Sequence, residues 1–280
     1  QEAGRNTSAE GAHNLVDALG FLPLAIVSAG AWLRDSPSAS FDEYEHRLKD
    51  MIKLLPETVH DYPRSLYAAT LLTYQRLSKK SQHLLKLLSC LAPSGIKVSL
   101  FDRLEGEIGK VDSRDKAYLE ALNSASNETR KFVRDIFEVE QAFSELKRYS
   151  IISERGASSF DIHRLTQLVI RLEIYAELPS LQLDASALIA SAYPSHDHNP
   201  EIYENWSQCS ELERHVDTLV STSSDSAPLE ILLKQAARFL DAQGEYEKAL
   251  KYAERLLASR EKRLPSDDLE IAGSLNDLAI

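Results

Sequence analysis

Apolar side chains recur along this chain at intervals of three and four residues, and few runs alternate with a period of two. This spacing predicts a mainly α-helical protein. In the first third of the chain, helices are predicted over residues 12–19, 23–34, 41–55, 66–77 and 78–91. The second of these is apolar on nearly every face and is expected to be buried. The apolar run from Leu84 to Leu88 is also expected to lie in a core.

The middle of the chain has a different pattern. Residues 96–104 predict another short helix, and the charged, weakly periodic stretch at about 106–140 is interpreted as an insertion. Ile151-Ile152 and residues 159–162 have the composition of two short strands on either side of a turn at Gly156. They therefore predict a small β-hairpin. Three helices followed by a two-stranded wing is the order of a winged-helix domain.

From Leu183 onward, one helical pattern follows another. Helices are predicted over residues 229–243, 245–263 and 269–280, with Gly244 between the first two. Ala237 and Ala279 stand in comparable contexts, Gln-Ala-Ala and Asp-Leu-Ala, which indicates a repeat. Because one helix pair cannot bury its apolar face alone, further repeats are expected after Ile280. We therefore interpret the sequence as a piece of a longer chain.

Composition narrows the class of protein. The 280 residues include 32 basic and 43 acidic side chains, for a net charge of −11, and an acidic chain is a poor general binder of nucleic acid. No apolar stretch approaches the roughly 18 to 20 residues that a membrane span needs. The chain begins at Gln1 without a secretory signal pattern. Cys90 and Cys209 lie far apart, which favours buried free thiols in a reducing compartment, so the cytoplasm is expected.

The motifs of a self-contained enzyme are missing from these residues. No Gly-x-x-x-x-Gly-Lys-Ser/Thr loop occurs, so the chain does not encode phosphate cradling with Mg²⁺ delivery. His196 and His198 flank Asp197 beside Asn199-Pro200, and a solvated turn is favoured there over a metal site. The carboxylates lie mostly on polar helix faces, and none is singled out as part of an acid–base pair. No catalytic residue and no metal site are predicted.

Three motifs carry a resemblance to a known family. The run from Leu19 to Leu33 resembles the Gly-Leu-Pro-Leu motif of NB-ARC-type STAND (signal-transduction) ATPases, in particular its fungal form, with Phe21 as an extra residue after Gly20. Phe160 to Leu165 resembles the family's Met-His-Asp position, with Arg164 in place of the aspartate. Gly244 to Ala253 resembles a tetratricopeptide repeat of the kinesin-light-chain kind. The three matches follow the family's order and span most of the chain.

The resemblance implies a domain organisation and a ligand. Residues 1–62 would be the helical, motif-containing ARC part of the NB-ARC module, 63–178 the winged-helix domain, and 179–280 a helical linker and the start of tetratricopeptide repeats. Pro23 would pack beside an adenine base, His163 would reach the β-phosphate of ADP, and Arg164 could meet a phosphate. These residues would hold no cofactor alone. In the full-length protein, a P-loop NTPase, ADP or ATP with Mg²⁺ would be bound.

The expected function is therefore regulation. The winged helix would sense the nucleotide state of an intramolecular nucleotide-binding domain, the repeats would bind a partner protein, and activation could involve oligomerisation. Two alternatives remain open. One is a winged-helix DNA-binding regulator, although Lys147 and Arg148 on the candidate recognition helix are accompanied by Glu138, Glu140 and Glu145. The other is a plain tetratricopeptide scaffold, which the absence of a phosphate-binding loop before Gln1 would favour.

Overall fold

The computed structural model describes residues 9–55, 63–102, 104, 122–156, 159–193 and 205–278. It confirms the prediction of a mainly α-helical fold. Within the described ranges, the α-helices are α1 (Ala9–Ala18), α2 (Pro23–Arg34), α3 (Phe41–Leu54), α4 (Arg64–Arg76), α5 (Lys79–Cys90), α6 (Asn127–Val133), α7 (Ile136–Arg148), α8 (Arg164–Glu173), α9 (Leu178–Ala192), α10 (Trp206–Thr222), α11 (Ala227–Gln243), α12 (Tyr246–Arg263) and α13 (Leu269–Leu278).

Several helices begin at residues whose side chains satisfy a free amide. Pro23 occupies the first turn of α2, where its missing N–H is no loss. The sequence Ser40-Phe41-Asp42-Glu43 at the start of α3 favours a capping box, and the Glu43 N–H does donate to Ser40 Oγ over 3.1 Å. The reciprocal half of that capping box is not formed, because the Glu43 carboxylate pairs with Arg47 instead (2.9 Å). Ser78 caps α5 in the same way through the Ser81 N–H.

The first of two hydrophobic cores lies among α1, α2, α3 and α4. Trp32 of α2 and Tyr44 of α3 meet edge to face in it, with ring centroids 5.1 Å apart, an arrangement that aromatic pairs prefer. Val169 of α8 is buried in the same core, and Leu165 packs against it. Helices α1 to α4 are called the first helical unit below. A helix from the second half of the chain, α8, therefore completes the core of this unit.

The second core is larger and contains α5 to α7, the sheet and the helices from α9 to α12. Leu84, Leu85, Leu87 and Leu88 are fully buried there, which confirms the interpretation of this run as core. The sheet differs from the expected hairpin, because it has three strands, β1 (Ile96–Lys97), β2 (Ile152–Glu154) and β3 (Ser159–Ile162), in the antiparallel order β1-β3-β2.

The helix predicted over residues 96–104 is wrong in its first part. Ile96 is paired with Phe160 in the sheet, and only residues 98–100 form a turn of 3₁₀-helix. The expected insertion at about 106–140 also differs from the structure. Residues 105–121 lie outside the described part of the chain, but α6 and α7 bury Phe132, Val133 and Val139 in the second core. The two helices have a periodic apolar face, but the many charged residues around it make this periodicity hard to recognise in the sequence.

The C-terminal helices are consecutive and closely packed. Helix α9 begins at Leu178, earlier than the predicted start at Leu183. Helices α11 and α12 form a hairpin, and α13 packs on α12. Gly244 ends α11 with a φ of +83°, and the Glu245 N–H donates to the Leu240 carbonyl oxygen over 2.8 Å, as in a Schellman motif. Among the described residues, no helix is long and apolar enough to cross a membrane.

Candidate functional site

The turn that precedes Pro23 has an unusual backbone. Gly20 has a φ of +67° and Phe21 a φ of +55°. The Gly20 N–H donates to the Asp17 carbonyl (2.8 Å) and the Phe21 N–H to the Val16 carbonyl (3.1 Å), so Gly20 has the turn role that ends α1. A left-handed conformation is strained for a bulky residue such as Phe21. Phe21 is nevertheless 59% exposed, two residues before the exposed Pro23.

His163 stands at the start of α8, where β3 ends. The Leu165 N–H donates to His163 Nδ1 over 3.2 Å, so the imidazole caps its own helix. A neutral ring that accepts at Nδ1 carries its proton on Nε2. His163 and Arg164 are both exposed. The helix start therefore presents an N–H donor and a guanidinium in a place where helix amides already favour an anion.

The structure brings the helices of these predicted site residues onto one core. Leu165, two residues after His163, packs against the same core cluster as Leu22, the residue before Pro23. Helix α4 contacts both α2 and α8 and lies in that cluster. The two helix starts, 140 residues apart in sequence, thus belong to one packed unit, and their predicted ligand contacts are open to solvent. Binding of a nucleotide by Pro23, His163 and Arg164 stays a prediction.

A polar contact joins the first helical unit to the candidate recognition helix α7. The Tyr149 hydroxyl donates to the Asp35 carboxylate at the end of α2, and Arg148 lies 3.5 Å from the same carboxylate. Burial and the adjacent Asp35 raise the pKa of Tyr149 to about 12, so its hydroxyl stays protonated and donating. In return, Arg34 donates to the Arg148 carbonyl oxygen. The C-terminal end of α7 is therefore docked on α2.

The basic side chains of α7 are engaged within the protein. Lys147 pairs with Glu154 of β2, and Arg148 is shared between Asp35 and Glu145. Glu145 accepts hydrogen bonds from Ser78 and Ser81 at the start of α5, and these bonds lower its pKa against the opposing effect of burial. Phosphate contacts by α7 would require breaking these pairs beside several carboxylates, and this weighs against the DNA-binding alternative.

A groove of about 480 Å³ lies between α11, α12 and α13. Three alanines, Ala237, Ala249 and Ala253, form part of its lining. Tyr246 is 68% and Leu250 48% exposed at its α12 side. Charged side chains complete it on α11, namely Lys234, Arg238 and Asp241. A lining of small residues, exposed apolar side chains and charged groups can accept side chains of another protein segment.

The two thiols are not reactive groups. Cys90 and Cys209 are buried and form no disulfide, as their surroundings in the sequence predict. Burial raises the pKa of Cys90 to about 12 and that of Cys209 to about 11, so neither supplies a thiolate near neutral pH. No group of three or more metal-ligating side chains occurs in the described ranges. His196 and His198 lie outside them.

Two buried polar residues were not identified from the sequence. Asp184 is the one charged residue of the apolar helix α9, and it accepts bonds from the Ser126 N–H and hydroxyl, both 2.7 Å, and from the Thr129 hydroxyl. His215 lies on the buried face of α10. A polar side chain on an apolar helix face is the signal that could have indicated both residues, because such a group needs a buried partner.

Comparison with known families covers one part of the chain. Residues 72–177 match a domain of unknown function, DUF7779. This segment starts within α4 and ends just before α9, so it contains α5 to α8 and the sheet. No curated protein matches the chain. The description of the matched family names no activity.

Proposed function

We propose that this chain is the regulatory and interaction segment of a STAND-type signalling ATPase, in which the winged-helix unit senses whether ADP or ATP is bound. One observation carries the proposal. Helix α2, which begins at Pro23, and helix α8, which is capped by His163, pack into a single core, and both of these predicted nucleotide contacts are exposed. A single ligand that contacted both residues would connect parts of the chain that are distant in sequence.

The chemistry at the helix starts suits a nucleoside diphosphate. Pro23 offers an apolar ring surface to a base. His163 offers Nε2–H to a phosphate oxygen, and Arg164 adds a permanent positive charge beside the N-terminal amides of α8. A diphosphate held in this way would keep the winged-helix unit docked, and exchange for ATP would shift the population of docked molecules.

Catalysis is assigned to a nucleotide-binding domain in the parent protein, where Mg²⁺ and the phosphate-binding loop would be supplied. The segment described here would contribute sensing, and the groove between α11, α12 and α13 would bind a partner protein. We place this activity in the cytoplasm, with oligomerisation as a consequence of activation.

The test is the rate of ADP release from the parent protein. Purified full-length protein is loaded with a fluorescent ADP analogue and chased with unlabelled ADP. The variant His163→Ala is expected to release the analogue about tenfold to a hundredfold faster, because it loses one hydrogen bond to a charged group. His46→Ala is the matched control, since His46 is an exposed histidine on α3 whose partner is Asp50.

Two results would contradict the proposal. One is release from His163→Ala at the rate of the control. The other is tight ADP binding with ATP hydrolysis by the isolated 280-residue chain, which would assign catalysis to residues that show no phosphate-binding loop. A parent protein without such a loop would favour the plain tetratricopeptide scaffold.

A further inference from the structure

The loop between α5 and β1, residues 91–95, is held by three separate elements. From α8, Gln167 Nε2 donates to the carbonyl oxygens of Leu88 and Leu91, at 2.8 and 2.9 Å. From β3, the Ile162 N–H donates to the Pro93 carbonyl over 2.8 Å. The third element is α10. This loop has no regular structure of its own, so its position depends on these contacts.

His215 supplies the α10 contact from a fully buried position, with 1% exposure. The Ala92 N–H donates to His215 Nδ1 over 3.2 Å. The opposite ring nitrogen, Nε2, then carries the proton and donates to the Gly95 carbonyl over 3.4 Å. The imidazole thus spans the loop from Ala92 to Gly95. Displacement of α10 would leave a buried N–H and a carbonyl without partners, which is unfavourable.

The neighbouring turns of α10 reinforce this contact. Arg214 donates to Ser94 Oγ over 3.3 Å, and its guanidinium lies against Gly95, only 3.1 Å from the place a Cβ would take. One turn earlier, Glu211 pairs with Lys97 of β1 over 2.6 Å. Helix α10 therefore contacts the loop and β1 through several side chains and not through His215 alone.

Helix α10 is in turn tied to the groove-bearing hairpin. Lys248 of α12 pairs with Glu213 over 2.5 Å and with Asp217 over 2.8 Å, and the Tyr252 hydroxyl donates to Asp217. Tyr246 and Ala249, on other positions of α12, line the groove. One helix thus has both a groove-facing side and an α10-facing side.

We infer that His215 is a positioning residue that couples the C-terminal helices to the start of α8. The connection runs from α12 through α10 and His215 to the α5–β1 loop, and from the Pro93 carbonyl to Ile162, the residue directly before His163. Displacement of α10 would break the His215 contacts to this loop and disturb the Pro93–Ile162 hydrogen bond next to His163. The coupling itself needs no nucleotide, and only the identity of the ligand at His163 rests on the proposed function.

Amide hydrogen exchange of the isolated chain, followed by NMR, tests the coupling. The reporters are the Ile162 amide, which is bonded to Pro93, and the Leu165 amide, which is bonded to His163 Nδ1. His215→Asn keeps an acceptor near the Ala92 N–H, and His215→Gln keeps a donor near the Gly95 carbonyl. Each is expected to accelerate exchange at Ile162 and Leu165 about tenfold beyond any change in global opening, which is the effect of one lost buried hydrogen bond.

The matched control is His83→Gln. His83 is the other buried histidine of the described second core, but its Nε2 contacts Thr129 Oγ1 at 3.0 Å and not the loop. It is expected to lower global stability without a selective effect at Ile162 and Leu165. Arg214→Ala, at an exposed residue, is a milder variant that keeps the test valid if the His215 variants do not fold, and it should accelerate the same two amides. Equal acceleration throughout the chain, or none at these two amides, would overturn the inference.

Discussion

The acid response of His215 gives a sharp prediction about stability. Burial lowers the pKa of this histidine from its ordinary 6.5 to about 4; the hydrogen bond to the Gly95 carbonyl opposes the shift, and the charge of Arg214 adds to it. The unfolded chain therefore binds a proton at this ring between pH 6.5 and pH 4, and the folded chain does not. The contribution of the neutral His215 ring to the free energy of unfolding is therefore complete above pH 6.5 and is lost as the pH falls toward 4.

The size of this loss follows from the shift. A difference of about 2.5 pH units, at about 1.4 kcal/mol per unit, corresponds to about 3 kcal/mol of unfolding free energy. That is a large part of the roughly 5–15 kcal/mol that stabilises an ordinary domain. The effect is not screened by solvent, because the ring is 1% exposed.

Urea unfolding of the wild-type chain and of His215→Asn, at several pH values between 8 and 4, measures the effect. Other groups also contribute to the pH dependence of stability, including His83, whose pKa is lowered by burial, and Glu145, whose pKa is lowered, against the effect of burial, by its hydrogen bonds to Ser78 and Ser81. They are present in both proteins, as are Arg214, Glu211, Lys97 and Asp161 around the loop, and largely cancel in the difference. The stability gap between the two proteins is expected to shrink by about 3 kcal/mol as the pH falls. A gap that stays constant would refute the reasoning.

Substitutions at three further positions have expected outcomes in urea unfolding. Phe21→Gly should be about 1 kcal/mol more stable than Phe21→Ala, because the φ of +55° is strained only when a Cβ is present; the opposite order would show that the turn relaxes. Gly95→Ala should destabilise by about 1–2 kcal/mol, since it combines a φ of +76° with a Cβ close to Arg214, and an unchanged midpoint would contradict this. Asp184→Asn should cost about 2–3 kcal/mol through the bonds to Ser126 and Thr129, whereas a neutral effect would mean that the amide satisfies the same donors.

Helices with strong local signals could be predicted from the sequence. Helix α2 begins at Pro23 and ends at Arg34, as its apolar run and the following Ser-Pro-Ser indicate. The cap at Ser40 is likewise a local property, because donor and acceptor are three residues apart. Such features depend on neighbours along the chain and not on the tertiary fold.

Features that depend on distant residues could not be predicted. Strand β1 has only two residues, and it exists because Ile96 pairs with Phe160 of β3, which is distant in the sequence. Short strands of this kind carry no periodicity to detect. In the same way, the α9 sequence shows a lone Asp184 but not that Ser126 at the start of α6 is its partner. For the candidate site, the sequence indicated His163 as a nucleotide contact or as a cap of its helix, but not that the cap is made through Nδ1 to the Leu165 N–H.

Helix α8 connects the candidate site to both hydrophobic cores. Val169 is buried in the core of the first helical unit and Leu165 packs against it, while Ile170, and Ile174 directly after the helix, are buried in the second core. The helix is therefore packed on both sides, and neither unit can rotate relative to the other without breaking one set of its contacts. Because His163 stands at the first turn of this same helix, a ligand bound there would act on both cores at once. Such a ligand would shift a population between two packings only by the difference in its affinity for them.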